Sequence, residues 1–416
     1  MNQTESAIMA KGLVDIGYEI TAEETRADLC VINTCTVTNQ SNAKCRKKIR
    51  SIQRHNPNAV IAVVGCFSQI ASQQITDIGG VHLVLGNAEK LRLHHYLQEL
   101  NGAETPLVRV DKLSKDPFTI ETIGQHLDST RANLKIQDGC DFICAFCVIP
   151  SARGRSRPRT PDNIREELQH LDQTGVKEIV LTGVNVGTYQ FGKTGFIDLL
   201  PLFEEFSGIK RVRISSIEPT TLGPEIFEWS RNDSKLVPYL HLPLQTASDD
   251  LLRKMRRKYL FQDYLDFIVQ AKEEVPGICI GSDVIVGFPG ESDERFEETF
   301  HALQKAPVDY FHVFPYAERK GTTSEKLFPK VSSGDIQRRA AVLRELSEHK
   351  REQFYRSFIG KPLSVLFETK APDGSWQGYS ENYIRVAVES AVDLKNAIRT
   401  VSINAVENQL AYGEIR

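Results

Sequence analysis

The chain has 416 residues, of which 41% are hydrophobic and 25% are charged, and its formal net charge is −3. These values exclude an intrinsically disordered, collagen-like or disulfide-scaffold protein, and at about 150 residues per domain the length predicts two to four domains. No apolar run approaches the roughly 20 residues that span a membrane, and the amino terminus lacks the pattern of a secretory signal. We therefore predict a soluble, cytoplasmic protein with no membrane partner.

The first domain is predicted to span residues 1–105. Predicted strands at 29–33, 60–64 and 82–85, with a basic helix near 41–56, are typical of a Rossmann-like α/β domain. Cys35 and Cys66 each follow the carboxyl end of a predicted strand, where open α/β sheets bind ligands. These two thiols can share a metal centre, and the alternative is that both are buried structural cysteines. The polar residues 106–130 are predicted to be a linker.

Three cysteines fall within eight residues near the start of the next predicted domain, 131–357: Cys140, Cys144 and Cys147. Clustered cysteines in a cytosolic protein indicate metal or redox chemistry rather than disulfides. A structural zinc site usually takes four ligands in two pairs, and no second pair follows here. Three thiolates suit a four-iron, four-sulfur cluster, in which one iron stays open to a substrate or cofactor.

Predicted strands alternate with helices through this domain, at 132–137, 178–182, 211–215, 239–242, 278–286 and 309–314. Six such units predict a partial (β/α)6 barrel of the TIM type, which places its chemistry at the carboxyl ends of the strands. The candidate cofactor-binding residues at those ends are Gly183, Asn185, Glu218, Gln245, Asp283 and Arg319. For each of them alone, a turn or capping role is the alternative. Cys279 lies inside an apolar strand and is predicted to be a small buried hydrophobic residue.

Basic residues concentrate in three short windows, 44–54, 153–159 and 253–258. Each window alone is explained by a solvated surface, whereas three together favour a polyanion partner. Arg153, Arg155 and Arg157 are the candidates in the second window.

The last segment, 358–416, is predicted to be a small β-barrel that follows a charged helix at about 334–358. Strands are predicted at 362–369, 376–379, 383–388 and 398–405, with turns at 372–374 and at Tyr412-Gly413. Tyr379, Tyr383 and Arg385 can form a stacking platform for nucleic-acid bases, and core and turn roles are the alternative.

The chain resembles the methylthiotransferase family of radical S-adenosylmethionine (SAM) enzymes along nearly its whole length. The stretches that carry the resemblance include INTCTVT, VVGC, KIQDGCDFICAFCVIPSARGRSRPR, EIVLTGVNVG, HLPLQTAS, SDVIVGFPGE and HVFPYAERKGT. The ending GYSENYIRV is similar to the TRAM domain of that family, a small RNA-binding β-barrel. The resemblance therefore implies an α/β protein with a radical SAM barrel and a TRAM-type barrel.

The resemblance also implies cofactors and partners. Cys140, Cys144 and Cys147 match the ligands of a [4Fe-4S] cluster whose open iron binds SAM. Cys35 and Cys66 match ligands of a second, auxiliary [4Fe-4S] cluster. The implied partners are the anticodon stem-loop of a tRNA and an electron donor of the flavodoxin or ferredoxin type.

The motif set looks most like the subfamily that methylthiolates carbon 2 of N6-threonylcarbamoyladenosine at position 37 of tRNA. Methylthiolation of N6-isopentenyladenosine is the nearest alternative. Methylthiolation of a protein and a non-catalytic iron–sulfur RNA-binding protein are the others.

One family feature is absent from the start of the sequence. The family opens with a strand that ends in a pattern like GCKVNQxES, and its cysteine would lie two residues before Met1 here. We therefore expect the sequence to be truncated, with a true start roughly ten residues upstream, about one strand and its lead-in. The alternative is a short protein whose second cluster is absent or is completed by Cys30 or Cys45.

Overall fold

The computed structural model describes residues 2–36, 39–100, 105–120, 130–231 and 234–416. The chain folds into two compact units. The first comprises residues 1–127, 135–163 and 317–325, and the second comprises residues 128–134, 164–316 and 326–416. The predicted class, a mixed α/β fold that ends in a β-barrel, is confirmed.

The first unit is built on a four-stranded parallel sheet of order β1-β2-β3-β4. Its strands are β1 Leu29–Thr34, β2 Val60–Gly65, β3 Leu83–Leu85 and β4 Leu107–Arg109. Its helices are α1 Asn2–Asp15, α2 Asn39–His55, α3 Cys66–Thr76 and α4 Leu93–Leu97, with 3₁₀ turns at Glu24–Arg26 and Lys90–Arg92. Five of the six residues of β2 are buried, as expected for an inner parallel strand that is covered on both faces.

Helix α2 packs on the sheet through one apolar face. Cys45, Ile49 and Ile52 are buried in the same hydrophobic cluster, and their spacing of four and three residues places them on one side of the helix. Lys44 and Lys47 are exposed. The basic window 44–54 is therefore an amphipathic helix with cations on its outer side.

The segment 106–130 contributes to the first unit, although its polarity predicts a linker. Strand β4 pairs with β3, and the Ile120 N–H donates to Asn163 Oδ1 at 2.8 Å. The segment is therefore attached to the first unit at these two points, through the short, largely exposed edge strand β4 and through Ile120. Residues 121–129 lie outside the described residues, and the predicted domain boundaries remain predictions.

The segment that carries the three clustered cysteines begins after β5 Arg131–Lys135. It comprises β6 Gln137–Asp138, α5 Ile149–Arg153 and β7 Arg157–Pro158. Strands β6 and β7 pair antiparallel, so that the two ends of this cysteine loop are held together.

The second unit contains two three-stranded sheets. The remaining helices before the final barrel are α6 Pro161–Gln173, α7 Phe196–Glu204, α8 Glu225–Arg231, α9 Asp249–Lys254, α10 Phe261–Glu274, α11 Asp293–Lys305 and α12 Ser333–Arg356. The strands are β8 Glu178–Thr182, β9 Gln190–Phe191, β10 Thr194–Gly195, β11 Arg211–Ile214, β12 Tyr239–His241, β13 Cys279–Val286 and β14 Tyr310–Pro315. Its 3₁₀ turns are Val186–Thr188 and Pro219–Thr221, and a further 3₁₀ turn, Thr323–Lys326, lies mostly in the first unit.

The sheets have the orders β11-β8-β5 and β12-β13-β14, while β9 and β10 form a separate hairpin. The pairs β8–β11, β12–β13 and β13–β14 are parallel. The predicted alternation of strands and helices is therefore confirmed.

The final barrel is closed, in the order β15-β16-β17-β19-β18. Its strands are β15 Pro362–Lys370, β16 Trp376–Ser380, β17 Arg385–Val388, β18 Ile398–Glu407 and β19 Leu410–Ile415. The predicted turn at Tyr412-Gly413 is wrong, because both residues lie in β19 and the chain reverses at Asn408 and Gln409, with φ of 48° and 60°. Gly413 serves the close approach of two strands instead: a Cβ there would lie 2.2 Å from the Ser402 carbonyl oxygen.

Within the described residues, no helix has the length and apolar character that crossing a membrane requires.

Candidate functional site

The cysteine loop directs backbone N–H groups at two of its three sulfur atoms. The Phe142 N–H donates to Cys140 Sγ, and the Ile149 N–H donates to Cys147 Sγ, each at 3.4 Å. A turn holds Cys144 and Cys147 close together, because the Cys147 N–H donates to the Cys144 carbonyl oxygen at 3.1 Å. Hydrogen bonds to sulfur stabilise thiolates and tune iron–sulfur clusters, so this donor set fits a [4Fe-4S] cluster with one open iron.

A glycine allows the loop to turn back on itself. Gly139 has φ of 71°, and a Cβ at this position would lie 2.0 Å from the Arg155 carbonyl oxygen. The Cys140 N–H also donates to the Gly154 carbonyl oxygen at 3.1 Å. Because the obstacle is backbone and not a flexible side chain, only glycine lets the chain place Cys140 here.

Cys35 and Cys66 lie at the same edge of the amino-terminal sheet. Strands β1 and β2 pair in the register Thr34↔Gly65, and each cysteine is the next residue along its chain. Cys66 is buried and begins helix α3, whereas Cys35 is half-buried. The predicted placement of two thiols at equivalent strand ends therefore agrees with the register.

A side-chain amide links Cys66 to a buried lysine. Asn87 Nδ2 donates to Cys66 Sγ at 3.5 Å and to the Ala152 carbonyl oxygen at 2.6 Å. Lys90 Nζ in turn donates to Asn87 Oδ1 at 2.7 Å. The sequence analysis did not identify Asn87 or Lys90, because neither belongs to a motif of recognisable spacing.

Lys90 belongs to a buried ion cluster that we define as Glu5, Lys90, Lys135, Asp138, Arg153 and Arg157. Glu5 is fully buried and contacts Lys90 Nζ at 2.6 Å, Lys135 Nζ at 2.9 Å and Arg153 Nη1 at 2.9 Å. Burial alone would raise the pKa of Glu5, but the charges of Arg153, Lys135 and Lys90 outweigh it and hold that pKa well below its usual range. The carboxylate therefore stays ionised inside the protein.

The same cluster corrects the predicted RNA-binding role of Arg153 and Arg157. Arg153 is 2% exposed and pairs with Glu5 and Asp138, and Arg157 is 9% exposed and lies 3.5 Å from Asp138. Burial alone would lower the pKa of Arg153, but Glu5 and Asp138 raise it well above its usual value. Both guanidinium groups are thus enclosed with carboxylates and are not available to a phosphate. Arg155 is half-exposed and pairs with Asp141 at the surface.

The three cysteines that lie outside the cysteine loop and outside the sheet edge at Cys35 and Cys66 have apolar surroundings. Cys30 and Cys45 lie in the apolar core of the first unit, and burial raises the pKa of both thiols, that of Cys45 to about 11. Burial likewise raises the pKa of Cys279 well above its usual value, in agreement with the predicted apolar role. Neutral thiols in a core are poor metal ligands, because the thiolate is the ligand.

Five of the six predicted cofactor-binding residues lie in the second unit: Gly183, Asn185, Glu218, Gln245 and Asp283. Gly183 and Asn185 follow β8, and the Asn185 side chain is buried. Glu218 follows β11 and pairs with Arg257, and burial raises the pKa of its carboxyl. Their use by a cofactor remains a prediction.

Gln245 and Asp283 depart from simple strand-end positions. Gln245 has φ of 75°, and its N–H donates to the Asp283 carbonyl oxygen at 2.8 Å. Asp283 lies inside β13, three residues before the strand ends at Val286, so its predicted strand-end position is wrong. Its carboxylate accepts from His241 and His312.

Arg319 lies in the first unit, where its guanidinium donates to the Thr36 carbonyl oxygen, next to Cys35 in the chain. Burial lowers the pKa of Arg319, and the neighbouring Cys35 opposes this effect.

The aromatic residues of the final barrel pack against each other. Tyr379 and Tyr383 are stacked with ring centroids 4.9 Å apart, and the guanidinium of Arg213 lies 5.0 Å from the Tyr383 ring. Arg385 is exposed and donates to Gln377 Oε1 at 2.6 Å. The three predicted RNA-binding residues of the barrel, Tyr379, Tyr383 and Arg385, line one cavity of about 780 Å³ within the second unit.

Two family descriptions match the chain. Residues 134–303 match the radical SAM superfamily, and residues 1–86 match the uncharacterized protein family UPF0004. The first range contains the cysteine loop, and the second contains Cys35 and Cys66.

Curated relatives cover almost the whole chain. The chain is 35% identical to the threonylcarbamoyladenosine tRNA methylthiotransferase of Bacillus subtilis, over 97% of this chain and 91% of that protein. It is 30% identical to the tRNA-2-methylthio-N(6)-dimethylallyladenosine synthase of Acetivibrio thermocellus, over 100% of this chain and 88% of that protein. A solved radical SAM methyltransferase, TsrM from Kitasatospora setae, aligns with a TM-score of 0.54 at 16% identity, over 75% of this chain and 71% of that one. This structural likeness shows the fold alone.

Proposed function

The chain belongs to the radical SAM methylthiotransferase family, and from this premise we propose that it methylthiolates carbon 2 of N6-threonylcarbamoyladenosine at position 37 of tRNA. The observation that carries the proposal is the near-complete match to the threonylcarbamoyladenosine tRNA methylthiotransferase of Bacillus subtilis. The match to the dimethylallyladenosine enzyme has lower identity.

We assign the radical centre to Cys140, Cys144 and Cys147. Their three thiolates would hold a [4Fe-4S] cluster, and the cluster with SAM supplies one-electron chemistry at a C–H bond that acid–base catalysis cannot activate. The N–H groups of Phe142 and Ile149 stabilise the thiolate form of two ligands. A one-electron donor of the flavodoxin or ferredoxin type would be the partner that this chemistry requires.

We assign a second cluster to the sheet edge at Cys35 and Cys66. The supporting observation is the charge of the buried ion cluster, in which the described residues supply four cations and two carboxylates. An anionic iron–sulfur group held by Cys66 would offset this excess positive charge, because it would lie close to the cluster. One side-chain amide, that of Asn87, contacts both Cys66 Sγ and Lys90 Nζ. Cys30 and Cys45 are less suited to complete such a site, since both lie in the apolar core cluster of the first unit.

The tRNA would be held through exposed cations and the final barrel. Helix α2 exposes Lys44, Lys47, Arg50 and Arg54. Arg155 and Arg385 add further exposed guanidinium groups. Contacts to phosphate supply affinity without reading sequence, so they suit an anticodon stem-loop whose modified base is recognised elsewhere.

The experiment is mass spectrometry of tRNA nucleosides from a deletion strain that is complemented with variants of the chain. Wild type should restore 2-methylthio-N6-threonylcarbamoyladenosine, and Cys144→Ala should not. Cys279→Ala is the matched control, because it removes a buried thiol outside both proposed centres. It should restore the product.

Other outcomes separate the alternatives. Restoration of the 2-methylthio isopentenyl nucleoside alone would move the specificity to the dimethylallyladenosine class. Purified, reconstituted chain that binds tRNA but forms no 5′-deoxyadenosine from SAM would indicate a non-catalytic iron–sulfur RNA-binding protein. Restoration by Cys144→Ala would refute the assignment of the radical centre.

A further inference from the structure

Three adjacent strands of the second unit bring two histidines and an aspartate together. His241 ends β12, Asp283 lies in β13 and His312 lies in β14. Asp283 and His312 are directly paired, and His241 pairs with Gly281, two residues before Asp283 on the same face of the sheet. The strand register therefore fixes the three side chains as neighbours.

The distances between their donor atoms suit a cation. His241 Nε2 lies 2.9 Å from Asp283 Oδ1, and His312 Nδ1 lies 3.3 Å from the same oxygen. One ligand atom from each of the three residues lies within 4.8 Å of the other two. Ligands that bind one ion at about 2.1 Å are separated by roughly 3.0 Å in an octahedron and 3.4 Å in a tetrahedron.

A second layer of residues orients His241. The Tyr239 hydroxyl lies 3.4 Å from His241 Nδ1 and 2.6 Å from the Tyr310 hydroxyl. Gly281 leaves the space for this arrangement, since a Cβ there would lie 2.7 Å from both His241 Nδ1 and the Tyr310 hydroxyl oxygen. Metal-binding histidines commonly engage their second ring nitrogen in this way, and that hydrogen bond directs the other nitrogen at the ion.

The cluster also has an open side. His241 is buried, the Asp283 side chain is 22% exposed, and the His312 side chain is 53% exposed. All three residues line the cavity of about 780 Å³. Three protein ligands beside an open cavity leave coordination positions for water or an oxygen-containing ligand.

We propose that His241, Asp283 and His312 bind one divalent first-row transition-metal cation, with its remaining coordination positions open to the cavity. Two imidazoles and one carboxylate form a ligand set that favours such ions over Mg²⁺ and Ca²⁺, which take oxygen ligands. The site is separate from the cysteines to which iron–sulfur clusters are assigned. The competing explanation is a hydrogen-bonded His–Asp–His cluster that holds the strands together without a metal.

The test uses the untagged chain with reconstituted iron–sulfur clusters, so that the cluster cysteines are already occupied, and Zn²⁺ as the probe in isothermal titration calorimetry. Wild type should bind one Zn²⁺ at this site. Asp283→Asn, which is nearly isosteric, and His312→Ala should weaken binding by at least about 100-fold, because each removes a ligand. Tyr239→Phe should weaken it by roughly 10-fold through the lost hydrogen bond. His301→Ala on helix α11, where the histidine is exposed, is the matched control and should bind like wild type.

Zinc K-edge X-ray absorption of the wild-type chain with bound Zn²⁺ needs no variant, so the test remains valid if a variant fails to fold. Nitrogen and oxygen neighbours at about 2.0–2.2 Å support the proposal, and sulfur at about 2.3 Å overturns it by placing the ion on cysteine. Binding of Zn²⁺ that is equal in wild type and in folded Asp283→Asn, or no Zn²⁺ binding by wild type, overturns it as well.

Discussion

The buried ion cluster gives the sharpest prediction about stability. Glu5 is the only carboxylate in ion-pair contact with Lys90 in the part of the chain that the structure describes, whereas Lys135 and Arg153 also contact Asp138. Glu5→Gln preserves the shape of the side chain and removes its charge. The variant therefore leaves one buried lysine without a carboxylate partner, which costs about 3–5 kcal/mol.

Hydrogen exchange measured by mass spectrometry can localise this loss. In Glu5→Gln, the slowest amides of helix α1 and of the cysteine loop should exchange roughly 100- to 5,000-fold faster, which is the same free energy expressed as an opening equilibrium. Amides of the carboxyl-terminal barrel should be unchanged, because they belong to the other unit. Glu23→Gln is the matched control, since Glu23 pairs with Arg26 at the surface, and it should leave both regions unchanged.

A second variant separates charge from packing. Lys90→Met together with Glu5→Gln removes both partners, so the double variant should lose less stability than the sum of the two single changes. If Glu5→Gln exchanges like Glu23→Gln, or if the double variant loses the full sum, the assigned role of the Glu5–Lys90 pair is refuted.

The pH dependence follows from the same carboxylates. The pKa values of Glu5 and Asp138 are lower in the folded protein than the values of about 4.3 and 3.9 expected in the unfolded chain. Their stabilising contribution is therefore fully present above about pH 5 and is lost as the pH falls below it. Glu5→Gln should flatten this acid-induced loss in an equilibrium denaturation series, because one of the two groups no longer titrates.

Two further changes test the cysteine loop and the corrected basic window. Gly139→Ala should lower the iron content of the reconstituted chain by about one cluster, because its Cβ meets the Arg155 carbonyl oxygen, whereas Gly79→Ala, with positive φ and nothing within 4 Å, should retain it. Equal iron contents would contradict the steric argument. Arg155→Gln should reduce the salt dependence of tRNA binding by about one phosphate contact and leave thermal stability unchanged, and an unaltered salt slope would remove Arg155 from the interface.

Local patterns predicted most of the fold. The apolar runs at β2 and β8 were sufficient to locate both strands, because the residues that make a parallel strand buried are neighbours in sequence. The cysteine loop was predictable for the same reason, since its three ligands fall within eight residues. Strand β4 was not, because its three residues are too few to show a periodic pattern.

Long-range contacts account for what the sequence analysis missed. Lys90 and Arg153 contact Glu5 across 85 and 148 residues of chain, and no spacing rule connects such positions. Asp283 was assigned to a strand end although the predicted strand 278–286 already contains it, and what the sequence did not show is that β13 places it opposite His312. The relation between these side chains depends on strand register, which one sequence does not specify.

The window Arg153 to Arg159 shows why a run of cations does not by itself identify a nucleic-acid surface. Arg153, Arg157 and Arg159 are buried, and only Arg155 is substantially exposed. Arg159 donates to Asn163 Oδ1 at 2.7 Å, and the other two buried guanidinium groups face Asp138. A buried arginine needs hydrogen-bond partners that lie elsewhere in the chain, so it contributes to the count of basic residues while contributing nothing to the surface potential. The exposed cations of the other two windows differ in this respect: helix α2 buries apolar residues and turns its charges outward, and Arg253, Lys254, Arg256 and Lys258 of the third window are exposed as well.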